Sequence, residues 1–533
     1  MSALHRLPLL LAAVLAVCAG FTLAQDGPAG RTVYVGRLRA EPSAFESGAP
    51  IKSDEVLTPL VLFDAGRLPS GDTTSYKETP DHRYLKILRP YDGSSFPRNI
   101  AAPLIRWEDH VDNAWMLSLN APGWDAPLWV VTDRRQWRPD ARTWEAVKAS
   151  GTGDWVEVEV RGCRLEEGRR AGGAVYADRV RFRVSPHPAD PLVVFRFVTP
   201  LFHGAKAPDV LYQDIGAFER HMFLPGKGIY CTNCHSFPSR PAAGEQDVTM
   251  AIAVRKSFTE LRQLGIYNFG SREAATVAVD SFFMCWDGAG TKIAVTAGTQ
   301  VLVREPITLE TQEFHVTAGD IVIVDRDTLA AVALPGASEP DYAEAFPAWS
   351  PDGETIVFAR DQEIKLGRGI PPKKYSLYRV PYNGGQGGPI ASLPGAEDGM
   401  SNFAPRFSPD GKWIVFNKAE SDSLVEPSAD LWIISTEEGA LARKLECNYD
   451  YAMDSHHSWS SNSRWLLFAT KRDDGIFTRV YLTEIDEGGH ASPPVELPSL
   501  DDPLVCYNVP EFLRSRPEID AEDILRKLSR ERR

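Results

Sequence analysis

From about residue 84 onward, short apolar-polar alternations separated by turn clusters dominate the chain, the period-2 pattern of half-buried strands. Trp115–Leu119, Leu128–Thr132, Trp155–Val160 and Val180–Val184 alternate in this way. Several such strands at this spacing predict a two-sheet sandwich of immunoglobulin or fibronectin type over 84–190. Trp137 and Trp144 lie between two of these strands, where large aromatic side chains are expected in the core rather than at a carbohydrate site.

The second half contains a repeat. Phe346–Phe358 reads FPAWSPDGETIVF and Phe403–Phe416 reads FAPRFSPDGKWIVF, with one extra residue between the aromatic positions of the second copy. Each copy has an aromatic, a Ser-Pro-Asp-Gly turn and an alternating strand. Pro presets φ at the second turn position, while Asp suits the third and Gly the fourth. Weaker copies run from Phe282 to Val295 and from His456 to Phe468. Their turns, Asp287–Gly290 and Ser460–Ser463, lack Pro-Asp-Gly. A Trp or Phe recurs at 286, 349, 407 and 459, and further strands lie between the copies. This is the anatomy of β-propeller blades. Four blades are visible, and a closed ring needs one or two more.

The first 24 residues place His5 and Arg6 before an apolar run from Leu7 to about Leu23. They read as a secretory signal cleaved after Ala24. A membrane anchor, or lipid attachment at Cys18, are the other readings. All three place the body of the protein outside the cytoplasm, and the cleaved signal, the reading adopted, leaves no integral membrane span in the mature chain. Residues 25–83 read as an extended lead-in. The tail 513–533, with Ile519, Ile524, Leu525 and Leu528, has the pattern of a short amphipathic helix, expected to dock on the surface or to fray rather than to bind a membrane.

Composition narrows the function. With 533 residues the chain is long enough for several domains. Its 58 basic and 72 acidic residues give a net charge of −14, the wrong sign for coating a nucleic acid. No nucleophile elbow, metalloprotease helix, phosphate loop or dinucleotide fingerprint occurs, so an electron carrier or binding protein is expected before a hydrolase or transferase.

The sharpest motif is Cys231-Thr-Asn-Cys234-His235, in a segment over 191–273 that precedes the clear repeats. Two thiols so spaced can add to the two vinyl groups of a haem, and the adjoining imidazole can ligate its iron. A redox disulfide, half of a zinc site and a chance occurrence are the alternatives. No βαβ context or second ligand pair supports the first two. This predicts one covalent haem c per chain on Cys231 and Cys234, with His235 as proximal ligand. Met250, in a segment that can run helically to Leu264, is the first candidate for the other iron face. His221, Met222, His456 and His457 are further candidates. Since neighbouring residues of a strand face opposite ways, at most one of His456 and His457 should point at any one site.

The Ser-Pro-Asp-Gly repeats resemble those of TolB-like β-propellers, extracytoplasmic bacterial proteins. The order CxxCHSF, degenerate repeats, KRDDGIFTRVYL and YNVPEF, over roughly residues 190 to 515, is similar to secreted TolB-like proteins bearing one c-type haem motif. The resemblance implies a mainly β fold with a propeller over 274–512 and a periplasmic or cell-surface location. Together with the motif it implies a mono-haem redox protein whose propeller docks a redox partner or another protein ligand. The alternative is an extracytoplasmic propeller scaffold in which the haem motif is structural or vestigial.

Overall fold

A computed structural model describes residues 32–35, 85–166, 169–170, 176–198, 208–226, 234–240, 248–255, 261–303, 313–363, 373–500 and 505–529. The signal segment, Cys18, Cys231 and most of the lead-in therefore lie outside the described residues.

The N-terminal region is built on a six-stranded sheet. In spatial order its strands are Thr32–Val35, Leu128–Thr132, Ala114–Asn120, Trp155–Cys163, Tyr176–Ser185 and Ser94–Pro97. A three-stranded sheet of Leu85–Arg89, Ile105–Asp109 and Gln136–Trp137 accompanies it. Alternation works as expected: Val156, Val158 and Val160 are all fully buried. Helix α1, Ala141–Ser150, is capped by Asp140, whose carboxylate accepts from the Thr143 N–H at 2.7 Å. Trp137 and Trp144 are core residues, and Trp144 packs edge-on against Phe96 with ring centroids 5.6 Å apart. The region departs from the immunoglobulin pattern, which is antiparallel throughout. Two pairs at the sheet edges are parallel, and α1 contributes Trp144 and Val147 to the core.

Among the described residues six four-stranded antiparallel arrays follow, one blade each. Blade 1 runs outward from Cys506–Leu513 through Leu192–Val198 and Asp209–Asp214 to Arg220–Leu224. Blade 2 runs from His235–Ser236 through Thr249–Val254 and Gln263–Asn268 to Ala274–Val277. The inner strands of blades 3 to 6 are Ser281–Trp286, Tyr342–Trp349, Ser401–Phe407 and Asp454–Trp459. Blades 3 and 4 are joined by a single parallel pair, Gly319 with Ala343. Each inner strand touches the next, and Cys506–Leu513 touches His235–Ser236, so the ring closes at six blades. Closure mixes the chain ends: the last strand of the ring pairs antiparallel with Leu192–Val198, its first.

The propeller thus begins at Leu192, and the segment read as separate over 191–273 forms most of its first two blades. Neither carries a Ser-Pro-Asp-Gly turn, and blade 1 draws its inner strand from the far end of the chain. Aligning the blades also removes the extra residue between the two clear copies, because Phe346 corresponds to Ala404 and not to Phe403.

The turn of the weakest copy obeys the same chemistry as the others. In blades 4, 5 and 6 a serine hydroxyl, from Ser350, Ser408 or Ser460, donates to Asp352, Asp410 or Asn462 at 2.5 to 2.6 Å. The same oxygen accepts from the N–H that starts the next strand. Ser463 stands at φ 60° where the other two turns use Gly353 and Gly411.

One apolar core runs from Phe182 and Trp144 in the N-terminal sheets to Trp465, Leu467 and Leu482 in blade 6. Helix α2, Ala521–Leu528, buries Ile524 and Leu528 against blades 1 and 2. It lies so close to Gly265 that a Cβ there would meet Leu528 Cδ2 at 2.9 Å.

Candidate functional site

The inner strands surround a funnel on the propeller axis, and one backbone device shapes its wall. Pairing with the second strand slips by bulging between Phe282 and Met284, Ala345 and Ala348, Phe403 and Arg406, and Ser455 and Ser458. The inner strand of blade 1 slips likewise opposite Val194 and Arg196. At each slip one non-glycine residue has positive φ: Phe283, Phe346, Ala404, His456 and Val509, between 44° and 54°. A bulge breaks the up-down alternation of a strand. Two successive side chains therefore face the funnel: Phe283-Met284, Phe346-Pro347, Ala404-Pro405, His456-His457 and Val509-Pro510.

Blade 2 presents Cys234-His235 at the corresponding place. Its inner stretch, Cys234-His235-Ser236-Phe237, matches His456-His457-Ser458-Trp459 of blade 6 position for position. The register agrees, with His235 opposite Ile252 as Met284 is opposite Val295. The expectation that only one of His456 and His457 can face a given site is corrected by the bulge, for both line the funnel.

The two second-position histidines are held alike. His235 Nε2–H donates to the Val194 carbonyl of blade 1 at 3.3 Å, and His457 Nε2–H donates to the Val415 carbonyl of blade 5 at 3.1 Å. Each acceptor lies on the second strand of the preceding blade. A carbonyl accepts only, so the proton sits on Nε2 and the lone pair on Nδ1. Both Nδ1 atoms are buried with no hydrogen-bond partner, as is Nε2 of His456. Burial, reinforced by nearby arginines, pushes the imidazole pKa down to about 4 at His235 and about 3 at His456 and His457. All three are neutral, the form that ligates metals. Burial pushes the Cys234 thiol up, keeping it protonated.

The remaining wall is apolar and cationic. Among the described residues Arg196, Arg262 and Arg406 reach the funnel; the one carboxylate lining it is Glu511, and Arg262 pairs with Asp280 at 3.1 Å. The position after these pairs holds Ser236, Cys285, Ala348 and Ser458 in four blades but Arg406 and Glu511 in the other two, and these two pair at 2.8 Å. Sequence reasoning missed them, although a charge at an otherwise small repeat position is a readable signal once the copies are aligned. Arg196 and Arg262 come from outside the inner strands and have no such signal. The free space between the funnel walls is about 100 Å³. It is narrow.

Other expected ligands lie elsewhere. Met250 is not in a helix but on the second strand of blade 2, fully buried among Leu192, Phe223 and Tyr267, and does not line the funnel. Its side chain fills the core between blades 1 and 2. His221 and Met222 are exposed on the outermost strand of blade 1. Among the described residues, no three His, Cys, Asp or Glu side chains cluster closely enough to hold a bare metal ion, and no helix is long and apolar enough to cross a membrane.

No family model matches the chain, and no curated protein matches it. Among solved structures it is similar to TolB from Acinetobacter baumannii, at 15% identity over 80% of this chain and 98% of that one, with a TM-score of 0.41. A putative TolB from Agrobacterium tumefaciens is similar at 12% identity over 58% and 89%, with a TM-score of 0.34. Hydrazine synthase from Kuenenia stuttgartiensis is similar at 11% identity over 63% of this chain and 48% of that one, with a TM-score of 0.41. At these scores the likenesses carry no argument, and the description of the chain as a six-bladed β-propeller rests on its own closed ring of sheets.

Proposed function

We propose that the funnel holds one c-type haem, bound through thioether bonds to Cys231 and Cys234 with His235 as an iron ligand, and that the protein is an exported electron carrier. The observation that carries this reading is the shared orientation of Cys234 and His235, which a regular strand would point to opposite faces. The residues present suit such a group. A free thiol and a neutral imidazole with an unpartnered Nδ1 share a cavity whose walls are largely apolar, as a macrocycle requires. Attachment adds each S–H across a vinyl C=C bond and needs no oxidant. Bound there, haem supplies a one-electron centre. Chain residues do the rest: the Val194 carbonyl orients His235.

A second reading is favoured by a specific observation. Because the Cys-His-Ser-Phe stretch repeats His-His-Ser-Trp of blade 6, its histidine has a role without any cofactor, bridging one blade to the next. The chain would then be an extracytoplasmic propeller scaffold whose funnel takes a ligand of another kind. Coexpression with haem-maturation machinery separates the two. The electron-carrier reading expects covalent haem by mass and a c-type absorption spectrum, with covalent attachment abolished in the Cys231→Ala, Cys234→Ala double variant. Wild-type protein without covalent haem leaves the scaffold reading.

A further inference from the structure

His457 is the symmetry mate of His235. Each is the second of two successive residues that line the funnel, each donates Nε2–H to the second strand of the preceding blade, and each presents a buried, unpartnered Nδ1. The same position in the other four blades is Met284, Pro347, Pro405 and Pro510, of which the prolines have no side chain able to hydrogen-bond or ligate and Met284 offers only a thioether. A ligating histidine ordinarily donates its other ring N–H to a carboxylate, carbonyl or water, which fixes the ring and its tautomer. His457 has that arrangement already. Blade 1 alone separates its blade from that of His235, and both rings line one narrow funnel.

We propose that His457, through Nδ1, is the second protein ligand of the metal centre held at Cys234 and His235, closing the iron's sixth position. The inference rests on the haem reading above and goes beyond it by assigning the opposite ligand and, with it, a six-coordinate electron carrier in place of an open catalytic iron. His456 is the built-in comparison. It lines the same funnel one residue away, but its Nε2 is buried without a partner, so no carbonyl holds that nitrogen as Val415 holds Nε2 of His457.

The test uses the full-length protein carrying covalent haem, read by optical and electron paramagnetic resonance spectra and by carbon monoxide binding to the reduced form. Wild-type protein is expected to be low-spin and slow to bind carbon monoxide. His457→Ala is expected to turn high-spin, to bind carbon monoxide at least tenfold faster, and to regain the low-spin spectrum when free imidazole is added. His456→Ala is expected to keep the wild-type spectrum. A high-spin wild type, or a His457→Ala protein that stays low-spin without added imidazole, overturns the assignment of His457 while leaving the haem reading intact. Wild-type protein without covalent haem overturns both. Mass spectrometry of each variant shows that haem is still attached, so a spectral change reports ligation and not loss of the group.

Discussion

A buried imidazole must stay neutral, and in this funnel three do. Their depressed pKa values make acid a denaturant of the cofactor-free protein. The unfolded chain takes up protons on these rings below pH about 6.5, whereas the folded chain refuses them until about pH 4 at His235 and about pH 3 at His456 and His457. Their stabilising contribution is present above pH about 6.5 and is lost as the pH falls toward 3. A tenfold difference in proton affinity between the folded and unfolded states is worth about 1.4 kcal/mol, so His457 alone contributes on the order of a few kcal/mol. His457→Gln keeps a donor for the Val415 carbonyl but removes the titration. Denaturant unfolding of the two proteins from pH 7 to pH 4 should show the stability difference moving steadily in favour of the variant, and parallel curves would refute the argument. Glu344 works in the opposite direction. Burial raises its carboxyl to about 7 despite Arg360 at 3.4 Å, so its contribution is present below pH about 4.5 and is lost as the pH rises through 7. Comparing variant with parent cancels that background.

At the scale of the element, the repeated turn and the repeated bulge build each blade, and they differ in how openly the sequence shows them. The turn is visible because Pro, Asp and Gly are needed at fixed places. Ser408 is fully buried, donates to Asp410 and accepts from the Trp413 N–H at 3.0 Å. Ser408→Ala leaves that N–H without its partner and is expected to cost about 1–2 kcal/mol in equilibrium unfolding. A loss under a few tenths of a kcal/mol would show that the turn stands on its backbone alone. The bulge is hidden, because the residues at positive φ, Phe, Ala, His and Val, carry no common signature. Period-2 reasoning therefore separates His456 from His457 and gives no reason for Cys234 and His235 to face the same way. The Cys-x-x-Cys-His motif, the strands and four blades are legible locally. Blades 1 and 2 are not, since one is completed by strand exchange between the chain ends and neither has the Ser-Pro-Asp-Gly turn. Met250 is misplaced by its sequence context because a short apolar run reads equally well as helix or strand.

Across the whole molecule, the N-terminal sheets and blade 6 are joined by a polar seam set in their common core. Glu484 accepts from Ser95 at 2.6 Å and from Ser185 at 2.5 Å, and Asp190 accepts from the Ser461 N–H at 2.7 Å. Arg89 pairs with Asp473, which also accepts from the Tyr481 hydroxyl at 2.7 Å. Next to Asp473, Arg472 is buried against Asp454 at 2.6 Å. Glu484→Ala strands two buried hydroxyls and is expected to cost about 2–4 kcal/mol. Because sheets and blades share one core, calorimetry should show a single transition moved to lower temperature. Two separated transitions would mean that the regions fold independently.

The closing strand Cys506–Leu513 also sets an order of events. Cys234 and His235 leave the ribosome long before His457, and His457 before the strand that completes blade 1. Until that last strand arrives, the blades form an open arc. The C-terminal strand is thus the keystone of the ring, and a chain cut short before Val505 would leave Leu192–Val198 without its inner partner and the ring open between blades 6 and 2.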